Sequence, residues 1–183
     1  MDQISRSIIL SLGAVISLTV LAVILALVVP FKVDEPATLL AVSGSAELLI
    51  PDQPPVPVTL DETLKLDPGQ GVRVLPGSEV RIDFQQNEGY AVVSGPATIR
   101  LIDSYRRATA LGHALDVSAF KRTDALTLEQ TDGTARYFFP GNDLSGAKIT
   151  IRLPIGNFVP PAPCWMTTIA VDRQTTSEPI DCQ

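Results

Sequence analysis

The stretch from Ile8 to Val29, IILSLGAVISLTVLAVILALVV, constrains this chain more than any other. It holds no charged residue and no proline, and the charge-free window runs wider still, from Ser7 to Phe31. At ~1.5 Å per residue, a helix of this length crosses a hydrocarbon core of ~30 Å. The expectation is a retained transmembrane helix over 8–30. The alternative is a cleaved signal peptide, but its apolar core usually runs ~7–15 residues and ends at an A-x-A type site, and none precedes Pro30. The rest of the chain is polar, acidic and punctuated by proline. The expected layout is a cytoplasmic N-terminus over 1–7, the helix over 8–30 and a juxtamembrane linker over 31–36. A β domain over 37–159 and a Pro/Cys-containing tail over 160–183 follow.

Charge alone nearly ties the orientation, with Arg6 on one side and Lys32 on the other. The two cysteines, Cys164 and Cys182, break the tie, because a cysteine pair suits an oxidising compartment. The N-terminus is therefore read as cytoplasmic and the C-terminal domain as extracytoplasmic. Within the helix, Gly13 and Ser17 form a small-xxx-small pair. Ala22 and Ala26 form another, read as one face-turn later. Such pairs let helix backbones approach closely and point to packing against other transmembrane helices.

The net charge of -6 falls wholly on the part after the helix, since residues 1–30 contribute only Asp2 and Arg6. An acidic domain lacks the basic face that nucleic acid or anionic lipid selects. Arg106-Arg107 with Lys121-Arg122 is the one basic concentration, and Asp103, Asp116 and Asp124 offset it. The single histidine, His113, between Gly112 and Ala114, reads as structural or exposed. No C-x-x-C, H-x-x-x-H, phosphate-loop or nucleophile-elbow spacing occurs, so neither metal nor cofactor is expected. The adjacent carboxylates Asp34-Glu35 and Asp61-Glu62 point apart on a strand, which does not suit acid–base work. The expectation is a protein that is not an enzyme.

From Ala37 the pattern changes to short apolar runs broken by turn residues. Leu39 to Ile50 reads as a strand pair or one long strand with Gly44 as a bulge. Pro51 to Pro57 is a loop, and Val58 to Leu66 alternates. In Glu79 to Phe84, Val80, Ile82 and Phe84 face one way and the charges the other. Tyr90 to Val93 and Ala97 to Ile102 are separated by Ser94-Gly95-Pro96. Leu126 to Gln130 is expected to turn at Asp132-Gly133 into Ala135 to Phe139, a hairpin signal. Ala147 to Leu153 and Thr167 to Val171 complete the set. Asp103 to Asp124 breaks the alternation, and a short helix over Ala108 to Leu115 or a loop is expected there. The fold class is all-β, a sandwich or roll behind one N-terminal helix. The aromatics Tyr90, Tyr105, Tyr137, Phe138 and Phe139 are assigned to core packing. A bond between Cys164 and Cys182 closes a loop of 17 intervening residues. That contributes ~3 kcal/mol by loop entropy; two free thiols are the alternative.

Ser43-Gly44-Ser45-Ala46, Leu66 to Val74, Ser78 to Phe84 and Asn87-Glu88-Gly89 follow one another as a Gly-containing strand, a Gly turn into a strand, an S-x-V-x-I-x-F strand and a turn. With Leu126-Thr127-Leu128 before Gly133, and Ile149 to Gly156, this order resembles the FecR-like extracytoplasmic domain over 43–159. The resemblance implies a β-rich module of interaction or sensing type outside the cell, and carries over no catalytic residue. Two departures stand out. The few residues before the helix leave no cytoplasmic region to contact a sigma factor, and the family's G-T-x-F strand is replaced by Phe158-Val159-Pro160-Pro161. The expected function is a single-pass, membrane-anchored module that binds a protein or an envelope polymer. The alternatives are an accessory subunit of a membrane complex and, less favoured, a glycan-active enzyme.

Overall fold

The computed structural model describes residues 3–60, 62–84, 89–109, 113, 123–139, 148–161 and 163–181. The chain divides into two compact units, 1–32 with 107–120 and 33–106 with 121–183.

The first unit is built on α1, Gln3–Val28. Its side chains are described over 13–25, and every one of them is exposed. Val15, Ile16, Leu18, Val20, Leu21, Val23, Ile24 and Leu25 are each at least half accessible. Among the described residues, no helix is long and apolar enough to cross a membrane. Gly13, Ser17 and Ala22 are exposed, and a Cβ on Gly13 would meet nothing within 4 Å. Ala22 does not extend the Gly13 face. Nine residues make two and a half turns at ~3.6 residues per turn, which places Ala22 half a turn away. The side chain of Ala26 lies outside the described set. In the same unit, Phe31 meets His113 edge-on with ring centroids 5.8 Å apart, and the His113 N–H donates to Thr109 O at 2.9 Å.

The second unit is β throughout. The strands of the chain, of which β1 begins in the first unit, are β1 Phe31–Asp34, β2 Ala37–Ser43, β3 Ala46–Leu49, β4 Val56–Val58, β5 Thr63–Leu66, β6 Gly71–Val74 and β7 Glu79–Asp83. They continue with β8 Tyr90–Ala108, β9 Ala125–Phe138, β10 Lys148–Leu153, β11 Gly156–Phe158, β12 Cys164–Ile169 and β13 Thr175–Pro179. Among the described residues, thirteen strands form one continuous sheet. Two long strands, β8 and β9, run through two wings of it. Residues 90–94 and 134–138 carry one wing, in which β5, β2 and β7 flank β8 while β12 and β13 flank β9. Residues 97–105 and 125–132 carry the other, with β4, β3 and β6 beside β8 and β10 and β11 beside β9. The β9–β10 pairing is parallel.

Alternation explains the core. Val80 and Ile82 of β7, Ala91 and Val93 of β8, and Leu126 and Leu128 of β9 are all buried in one hydrophobic cluster spanning both wings. Fully burying each of the larger side chains is worth about 1.5–3 kcal/mol.

Five expectations are corrected. There is no hairpin at Asp132-Gly133, because β9 runs straight through as one bent strand. Gly133 adopts φ 75°, and a Cβ there would run into the Pro96 carbonyl oxygen and Ala97. The glycine lets β9 bend together with β8 instead of reversing. Ser94-Gly95-Pro96 likewise lies inside β8, where the register shifts between Ser94 and Thr98. Leu39 to Ile50 is neither a pair nor one bulged strand. β2 and β3 belong to different wings, and Gly44, at φ 73° and packed on Ser78, marks the switch. Asp103 to Ala108 is strand, being the end of β8. The short helix over 108–115 lies mostly outside the described residues, with only His113 described as helical. Pro57, read as loop, sits in β4, an edge strand, where its missing N–H costs no ladder bond.

Candidate functional site

Residues that face each other across an antiparallel pair share a face of the sheet, so the strand registers fix a lattice on the outer side of the first wing. One row reads Asp83, Tyr90, Phe138, Cys164 across β7, β8, β9 and β12. The next reads Arg81, Val92, Arg136, Met166, and the third Glu79, Ser94, Thr134, Thr168. The rows are tied along diagonals. The Arg81 guanidinium lies 4.0 Å over the Tyr90 ring, whose neighbour Phe138 stacks at 4.9 Å. Arg81 Nε meets Asp83 Oδ1 at 2.7 Å, and Arg136 Nη2 meets Glu79 Oε2 at 3.0 Å. The Ser94 hydroxyl donates to the same Glu79 oxygen at 3.2 Å, and the Thr134 and Thr168 hydroxyls bond at 3.1 Å. These ion pairs are half-exposed, so each stabilises by only about 0–1 kcal/mol and keeps its charge accessible to a partner.

A cleft of about 200 Å³ opens over the first two rows, between Arg136 and Phe138 on one side and Ile180 and Asp181 on the other. Where β8 and β9 bend, a wider groove of about 700 Å³ runs along Ser94, Pro96, Thr131, Asp132 and Thr134 to Val171 and Arg173. Val171 is wholly exposed, and Arg173 holds φ 65° at the tip of the β12–β13 hairpin. The face thus offers aromatic, ionic and hydroxyl rows leading into an open groove. That arrangement suits binding of an extended, mixed polar and apolar partner.

Core packing is the expectation for most of Tyr90, Tyr105, Tyr137, Phe138 and Phe139. Tyr137 and Phe139 are buried there, stacked at 6.3 Å, but Tyr90 and Phe138 lie on the outer face. The signal was present in the alternation, since Tyr137 and Phe138 are adjacent and must point oppositely. Arg106 is not an exposed cation offset by nearby aspartates; it is buried and bonds Glu35 at 2.9 Å. Lys121 and Arg122 lie outside the described residues, as does Asp61. Its neighbour Glu62 is partly exposed and accepts from the Thr59 hydroxyl at 2.6 Å and the Thr59 N–H at 3.2 Å, which lowers its pKa. Cys164 is buried and is not a free thiol. Cys182 lies outside the described residues. Among the described residues, no group of three or more His, Cys, Asp or Glu side chains is placed to hold a metal ion.

Behind the outer face, the Tyr137 hydroxyl donates to Gln130 Oε1 at 3.0 Å. Burial raises the Tyr137 pKa well above its ordinary 10.0, and the Thr167 hydrogen bond lowers it only partly. Below pH ~10 both folded and unfolded states keep this proton. Above it the unfolded state loses the proton first, so stability falls as pH rises, by at most about 1.4 kcal/mol per pH unit. Urea unfolding at pH 9, 10 and 11 should show a steeper loss in the wild type than in Tyr137→Phe. Parallel pH profiles would remove Tyr137 as the cause.

No protein-family model, no curated protein and no solved structure matches this chain.

Proposed function

We propose that the chain is a single-pass membrane anchor carrying an extracytoplasmic binding module of sandwich or roll form. In this reading α1 crosses the membrane with its N-terminus in the cytoplasm. The β unit recognises a protein or an envelope polymer through its outer face and performs no catalysis. The observation that carries the reading is the exposure of large apolar side chains all round α1. In water, an uninterrupted apolar surface of that kind is a liability; against lipid tails it is the expected surface.

The bond between Cys164 and Cys182 belongs to the same proposal. It is supported by the Ile180 N–H, which reaches Cys164 O at 3.3 Å and brings the tail alongside β12. The FecR-like reading is supported by the ranges of β6 and β7, which fall on two of its stretches. The second reading, an accessory subunit, is favoured by the open space around Gly13 on α1. Sizing of the detergent extract separates the two, because a subunit elutes with its complex.

The test uses the full chain. Alkaline carbonate should leave it in the membrane pellet and detergent should release it. The detergent-solubilised protein is then incubated with isolated envelope polymer and, separately, with solubilised envelope proteins. Retention on one of them should fall about tenfold in Tyr90→Ala/Arg136→Ala, the loss expected of a central aromatic and arginine anchor. Release by carbonate, or retention unchanged by that variant, would overturn the reading.

A further inference from the structure

The last strand leaves an edge unused. β13 pairs with β12, and among the described residues with nothing else. In an antiparallel ladder, hydrogen-bonded and non-bonded pairs alternate. The bonds at the two ends of this ribbon fix the parity. Ala170 N–H donates to Gln174 O at 2.9 Å, and Ile180 N–H donates to Cys164 O at 3.3 Å. Residues 174, 176, 178 and 180 therefore turn their backbone groups to β12, while 175, 177 and 179 turn theirs outward. The free edge presents the N–H and C=O of Thr175 and Ser177 and the C=O of Pro179. Pro179 has no N–H and ends the edge. Two other outer strands are blunted more fully: β4 is three residues long with Pro57 at its centre, and β11 is also three residues; β5, four residues long, carries Lys65 on its edge.

A second observation points to the same place. Trp165 Nε1 and Thr175 Oγ1 are shut off from solvent and have no hydrogen-bond partner among the described residues. Register places both on one face of the β12–β13 ribbon, since Trp165 opposes Pro179 and Ile169 opposes Thr175. The Trp165 ring meets Phe158 of β11 at 5.2 Å, so this face looks into the seam between the outer strands of the two wings. The two polar atoms sit four residues apart along the ribbon, about 13 Å at ~3.3 Å per residue. An extended segment of about five residues spans that length. Charge narrows its chemistry. Glu178 lies on the opposite face, in the row of Arg81 and Arg136, and no cation stands beside it on β13.

We propose that the β13 edge takes up an extended segment of a partner protein as an added strand. The segment pairs with Thr175, Ser177 and Pro179 and places a Lys or Arg against Glu178. A second copy of β13 fits less well. Centred on Ser177, it would set Pro179 against Thr175 and lose an N–H at both ends.

The edge borders the outer face through Glu178, but its main-chain contacts at Thr175 and Ser177 involve neither Tyr90 nor Arg136, so a Ser177 variant tests it apart from them. A displayed library of random ten-residue peptides is selected on the detergent-solubilised full chain and counter-selected on Ser177→Pro. That substitution removes the outward N–H together with the hydroxyl, and Ser177→Ala serves as the control that loses the hydroxyl and keeps the N–H. Enriched peptides are synthesised and titrated. Trp165, the single tryptophan of the chain, reports binding through its emission. The expected peptides alternate basic and β-branched or hydroxyl residues. They should shift Trp165 emission saturably and slow amide exchange at Thr175 and Ser177. They should bind Ser177→Pro about tenfold more weakly, bind Ser177→Ala unchanged, and lose about threefold in Glu178→Lys. No enrichment, equal binding to Ser177→Pro, or unprotected amides at 175 and 177 would overturn the proposal. So would protection of those amides by concentration-dependent self-association without peptide, which would assign the edge to a second copy.

Discussion

Replacing Arg106 with leucine is expected to lower the unfolding free energy by about 3–5 kcal/mol, the loss associated with leaving one member of a buried ion pair alone. Glu35 and Arg106 are 4% and 8% exposed, so neither charge can recover its hydration when the other is removed. Both carboxylate oxygens are used. Arg106 Nε lies 2.9 Å from Glu35 Oε1, and the Thr123 hydroxyl donates to Glu35 Oε2 at 2.7 Å. The Glu35 N–H also donates to Ser104 O at 2.8 Å, so main chain and side chain are held together. Urea unfolding followed by Trp165 emission measures the loss. Glu35→Leu/Arg106→Leu should recover most of it, because two packed apolar groups need no hydration. A single-variant loss under 1 kcal/mol would mean that solvent reaches the pair. An equally large loss in the double variant would mean that packing matters there and charge does not.

This cluster was invisible in the sequence for a definable reason. Glu35 and Thr123 are 88 residues apart, and each is an ordinary polar residue in its own neighbourhood. Only the meeting of Glu35 with the end of β8 and the start of β9 turns three solvated groups into a buried constellation. The N-terminal helix and the alternating strands lie at the other extreme. In β7, the charges at Glu79, Arg81 and Asp83 leave one face for Val80 and Ile82, and no tertiary information is needed to read it. The outer lattice lies between. Its members follow from the alternation of β7, β8 and β9, but its rows exist only once register is known. Strand bends were legible as glycine positions and not as bends. A reversal and a kink both require the conformation that Gly133 adopts, and contact with Pro96 on the neighbouring strand decides between them. Gln130 was legible in part. It follows Leu126 and Leu128 at period two, which places it inward, while its polarity argues for solvent.

That conflict at Gln130 leads to the second large effect. Gln130→Ala is expected to destabilise the β unit by about 3 kcal/mol, combining a cavity with two stranded hydroxyls. Gln130, Tyr137 and Thr167 are each at most 1% exposed. Gln130 Oε1 accepts from both the Tyr137 and the Thr167 hydroxyls, and its Nε2 donates to Gly133 O at 2.8 Å. One amide therefore links the two halves of bent β9 to β12 at the point where the wings join. The carbonyl at Gly133 needs that donor, and the hydroxyls have no water to turn to. Gln130→Leu/Tyr137→Phe/Thr167→Val removes the stranded hydroxyls while keeping similar volume, and should lose less than Gln130→Ala alone. Urea midpoints of the single and triple variants, with the urea dependence compared between them, decide the matter. If the triple variant is the least stable, the network contributes more than satisfied polarity. Its extra loss should then appear as faster amide exchange around Gly133, where the bend would no longer be held to one geometry.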